Sequence, residues 1–144
     1  YGNIVMRELN EKINNARQVN FSFQQNGMAL IQTWDNSSNP NPTETIRANS
    51  DNGILINDAP LIEGTFRLPT TGRFRDNGQH RVSLVQFTWS KGTDIRPSLS
   101  KFNNNMITIE LTIQLDSDVI ADEETVSEQF YFKRSIFTAN NYII

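Results

Sequence analysis

The stretch MITIELTIQL, residues 106–115, constrains this chain more than any other. Ile107, Ile109, Leu111, Ile113 and Leu115 alternate with Met106, Thr108, Glu110, Thr112 and Gln114. A period of two places the aliphatic set on one face of a strand and the other set on the opposite face. A strand with one wet face belongs in an antiparallel sheet, since parallel sheets are covered on both sides. VSEQFYFKRSIF repeats the pattern near the end of the chain, with Phe130, Phe132, Arg134 and Ile136 on one side. HRVSLVQFTWS predicts another long strand, and loops rich in Asn, Ser and Pro separate these runs.

Earlier in the chain, FSFQQ and MALIQTW read as strands joined by an Asn26-Gly27 hairpin turn. Residues 35–45 form a polar loop, and NSDNG (49–53) reads as a turn ahead of the apolar run Ile54–Ile56. Asp76-Asn77-Gly78 is a second hairpin signal.

The opening residues obey a different period. Val5, Leu9, Ile13, Ala16 and Val19 make one stripe at helical spacing, flanked by Ile4 and Met6. Glu8 precedes Lys12 by four residues, and Glu8 and Glu11 come early while Arg17 comes late, all favourable for a helix. The spacing predicts a helix from about Asn3 to Val19. Such a stripe must bury against something, and the strands are what the chain offers. The expected fold class is therefore α+β: one N-terminal amphipathic helix packed on an antiparallel sheet. Residues 1–144 form one domain in this reading, with the β-rich part from about 21 to 138. Val5, Leu9, Ile13 and Ala16 are expected to hold helix to sheet. Arg7, Asn10, Asn14 and Arg17 are left on the other side, free for a neighbouring subunit.

Composition narrows the chemistry. A length of 144 residues suffices for one real core. The net charge of −3 disfavours bulk attraction to nucleic acid. The absence of Cys removes disulfides, zinc–thiolate sites and thiol nucleophiles. Eighteen Asn residues suit turns and a solvated exterior. No apolar run approaches the ~20 residues needed to span a bilayer.

His80, the one His, follows a hairpin signal and has neither an orienting partner nor a nucleophile beside it. Asp116, Asp118, Asp122, Glu123 and Glu124 form an acidic run, read first as a solvated hairpin connection. Its functional alternative is calcium held by Asp116, Asp118 and Asp122, since loops readily supply several oxygens to a hard cation. No other cofactor is expected. Seven Arg and Lys residues interleave with Phe74, Phe87 and Trp89 between residues 61 and 101, a pattern read as solvated strand faces over core aromatics.

With those features in place, the chain resembles the soluble part of type IV pilin-like proteins, in particular minor pilins and pseudopilins. IVMRELNEKINNARQV looks like the exposed half of their long N-terminal helix. MITIELTIQL, an acidic turn and ETVSEQFYFKRSIFTAN resemble the way many minor pilins end, with Arg134 and Asn140 as loose counterparts of an Arg- and Asn-containing tail. The resemblance implies a pilin-like headgroup that contributes, without enzymatic activity, to a filament or tip complex. Its partners would be other pilin or pseudopilin subunits. It would meet the membrane only through an apolar segment upstream of Tyr1, anchored in the inner membrane before assembly and extracytoplasmic throughout. A Cys-bounded loop, common in major pilins, is missing. The alternative from another class is an extracellular adhesin- or fibre-type module, binding a surface or sugar ligand through the loops at 35–45 and 91–105.

Overall fold

The computed structural model describes residues 1–36, 38–61, 80–91, 106–119, 124–137 and 142–143. Helix α1 spans Gly2–Asn15. The strands are β1 (Gln18–Phe23), β2 (Ala29–Trp34), β3 (Glu44–Asn49), β4 (Gly53–Ile56), β5 (Ala59–Pro60), β6 (His80–Lys91), β7 (Met106–Val119), β8 (Glu124–Phe137) and β9 (Tyr142–Ile143).

These strands form two sheets. The first has the order β5-β4-β3-β2-β1-β9 and the second β6-β7-β8. Every pairing is antiparallel except that of β9 with β1. The expected α+β headgroup, one helix on one sheet, is therefore wrong. The protein is mostly β and sandwich-like, with one short helix among the described residues. Alternation reports that a strand has one wet face. It does not report which strands share its sheet, and a second apolar-faced sheet can bury the first as well as a helix can.

A single core joins all three layers. Val5, Leu9 and Ile13 of α1, Ile31 and Ile46 of the first sheet, and Phe87, Ile109 and Leu111 of the second belong to one buried cluster. Trp89 fastens the sheets to each other. Its indole stacks on Phe23 at 5.2 Å and tilts against Phe21 at 5.5 Å between ring centroids. Its Nε1–H donates to the Ser22 carbonyl at 2.8 Å. Trp89→Phe keeps an aromatic ring but strands that carbonyl, so it should cost about 0.5–1.5 kcal/mol in urea unfolding. A second tie lies beside a bulge between Leu84 and Gln86, where the Leu84 N–H donates to the Ser50 carbonyl at 2.9 Å.

Helix α1 stops four residues short of Val19, where the sequence reading ended it. Ala16 is already extended, with φ −75° and ψ 148°. The Arg17 N–H donates to the Trp34 carbonyl at 2.9 Å, and Val19 pairs with Thr33 in the β1–β2 ladder. Val19 fits two periods, the helical stripe and the alternation Val19-Phe21-Phe23. Asn14 and Asn15 are weak helix formers, and the strand period prevails.

Asparagines close the turns. Gly27, with φ 83°, follows Asn26, whose Oδ1 accepts from the Met28 N–H at 2.9 Å. Asn26 Nδ2 and Gln24 Nε2 both donate to the Ala48 carbonyl, at 3.1 and 3.2 Å, pinning this turn to β3. In the β3–β4 turn, Asn49 Oδ1 accepts from the N–H groups of Asp51 and Asn52.

Candidate interaction surface

Both sheets hold α1. On the first sheet's side, the Tyr1 hydroxyl accepts from the Ile54 N–H at 3.1 Å, and Lys12 Nζ lies 3.2 Å from Glu44 Oε1. On the other side Gly2 sits against β8 so closely that a Cβ would run into the Phe132 ring. Val5, Leu9 and Ile13 are 0% exposed. Ala16 is also buried, though it lies past the helix end.

The outward face of α1 carries Asn3, Arg7, Glu11 and Asn14, all exposed. Asn10 is half-buried and accepts from Asn14 Nδ2 at 3.1 Å. Arg17 is exposed but belongs to the connection into β1 and not to the helix, which corrects its place in the expected four-residue helix face.

A groove runs along each flank of α1, and the two differ in charge. The flank facing β2 and β3 is lined by Glu8, Glu11, Asp35 and Glu44, with Lys12 as its one cation among the described residues. The flank facing β8 is lined by Asn3, Met6 and Arg7 from the helix and by Tyr131, Phe132, Lys133 and Arg134 from the strand. This second groove has a volume of about 650 Å³. Side chains from both faces of β8 line it, so the edge of that strand forms one wall. Lys133 Nζ stands 3.9 Å from Glu110 Oε1, while Arg134 has no ion pair among the described residues.

Phenols mark both ends of this arrangement. Burial pushes the Tyr1 hydroxyl above its ordinary range, opposed in part by the hydrogen bond from the Ile54 N–H. The Tyr131 hydroxyl donates to Glu110, which raises it too, with that carboxylate's charge acting the same way. A raised phenol favours the neutral form in the folded state. That stabilisation is complete below the ordinary pKa of about 10 and is lost as pH rises through the folded value. Urea unfolding should therefore show stability falling above about pH 10, and Tyr1→Phe should make that fall shallower.

The acidic run proves to be mostly strand. Asp116 and Asp118 belong to β7, opposite Ser127 and Thr125 of β8, and Glu124 opens β8. This corrects the expected loop from Asp116 onward. The Asp116 carboxylate accepts from the Gln114 amide at 3.0 Å and from the Ser127 hydroxyl. Asp122 and Glu123 lie outside the described residues. Among the described residues no three His, Asp or Glu side chains gather as a metal-binding group. The two-residue period of β7 runs on in the sequence past Leu115, with Asp116 and Asp118 two and four residues beyond Gln114, a signal obscured by the charges themselves.

His80 opens β6, in register with Ser117. Most of the basic segment, residues 62–79 and 92–101, lies outside the described residues, as do Asn140 and the loop at 92–105. In the described part of the 35–45 loop, the Ser38 N–H and hydroxyl both donate to Asn36 Oδ1, and the Asn41 N–H donates to Asn39 Oδ1. Those amides close their own turns.

Comparison with known protein families, curated proteins and solved structures finds no match to this chain.

Proposed function

We propose that this chain is a non-enzymatic assembly subunit, a minor pilin or pseudopilin head domain. The observation that carries the reading is the state of α1. One stripe is sunk between two sheets, while an outward polar face is bordered by an acidic flank and a basic flank. A rigidly held helix with flanks of opposite sign suits side-by-side packing of subunits, because unlike charges steer and register the contact. The head departs from the single sheet that the family resemblance implied, so the reading rests on the helix. Its partners are other subunits of a type IV pilus-like filament or tip complex. Its location is extracytoplasmic, with membrane contact confined to a segment upstream of Tyr1.

Charge reversal tests it. Arg7→Glu and Glu11→Lys change exposed side chains only and should leave the fold intact. Each should lower incorporation into filaments, or co-purification of partner subunits, by about tenfold. Incorporation at the wild-type level in both variants would count decisively against α1 as an interface.

A further inference from the structure

The second sheet ends at β8, whose outer edge pairs with no strand among the described residues. This edge strand is 14 residues long. Ser127 through Tyr131 are exposed whichever face they occupy, with Phe130 at 45% and Tyr131 at 56%. A long edge with bare aromatics is a template for another strand. Its charges are polarised: Glu128 stands on one side of the aromatic pair, and Lys133 and Arg134 on the other.

We infer that β8 pairs antiparallel with β8 of a second copy, about a two-fold axis at Tyr131. The register follows from geometry. Directly opposed residues of an antiparallel pair point to the same side, so two-fold symmetry centres the register on a residue and never between two. Centred on Tyr131, Glu128 faces Arg134, Phe130 faces Phe132, Gln129 faces Lys133 and Ser127 faces Ser135, each pair occurring twice. Moving the centre to Phe130 sets Glu128 against Phe132. Moving it to Phe132 sets Phe130 against Arg134. Only the middle register matches charge with charge and ring with ring. It also fills the basic groove. Phe130 of each copy enters beside Met6 and Phe132 of the other, and Glu128 meets the Arg134 that lacks an ion pair among the described residues.

A pair closed by two-fold symmetry does not extend into a filament. It describes the subunit outside one, and it shields an edge otherwise prone to aggregation. The inference and the assembly reading share the basic groove but are tested at different residues, assembly at Arg7 and Glu11 and self-association at Glu128 and Arg134.

Sedimentation equilibrium of the chain and three variants tests it. The wild type should be a dimer. Glu128→Arg and Arg134→Glu should each weaken self-association by about tenfold or more, because two like-charged contacts replace two attractive ones. The double exchange should restore it to within about threefold of the wild type. A monomeric wild type overturns the inference. So does a dimer indifferent to the single reversals, or β8 amides that gain exchange protection only when a different protein is added.

Discussion

Phe87→Ala should destabilise the protein by about 3–5 kcal/mol, the range for emptying a buried aromatic site. Phe87 is 0% exposed and stands opposite Leu111 in the β6–β7 ladder. Its ring lies in a cluster shared by both sheets and the helix. The neighbours are ladder-bonded strands, which have little freedom to collapse into the space, so the upper half of the range is expected. Denaturant unfolding should show the midpoint falling with the slope unchanged. A cost under about 1 kcal/mol would place Phe87 at a yielding margin and not in a close-packed centre.

Leu9→Ala is the companion experiment, with an expected cost of about 2–5 kcal/mol. Leu9 is 0% exposed at the middle of the buried stripe of α1. A helix merely draped over a finished sandwich could fray and leave the sheets standing. Here the helix is held by Tyr1 and Lys12 on one sheet and by the Gly2–Phe132 contact on the other. Loss of Leu9 should therefore lower one cooperative transition, seen at the same midpoint by far-ultraviolet circular dichroism and by tryptophan fluorescence. Two separated transitions would show that α1 is not part of the common core.

The sequence made the strands and the helix face legible for a physical reason: each carries its burial pattern in its own spacing. Ile107, Ile109, Leu111 and Ile113 are buried as their alternation demands, and Val5, Leu9 and Ile13 as theirs demands. What spacing does not encode is which apolar face meets which. The division into two sheets depends on distant partners such as Trp89 with Phe21 and Phe23, and on Leu84 reaching Ser50. The same limit explains Val19, where two periods coincide and only the pairing with Thr33 decides. At Asp116 and Asp118 the charges suggested a loop, whereas the β7–β8 ladder carries both as strand residues. The groove between α1 and β8 was not legible at all. It joins Arg7 to Arg134 across most of the chain's length, and no local pattern links residues so far apart.

The assembly reading makes one demand that sequence-independent chemistry can meet: intact mass and N-terminal sequencing of the native protein, extracted from its own membranes. A mature chain beginning about two dozen apolar residues before Tyr1, roughly one membrane span, and carrying an N-methylated first residue is the predicted result. A mature chain that begins near Tyr1, or that follows an ordinary cleaved signal peptide, would contradict the account and make α1 an element of a secreted domain.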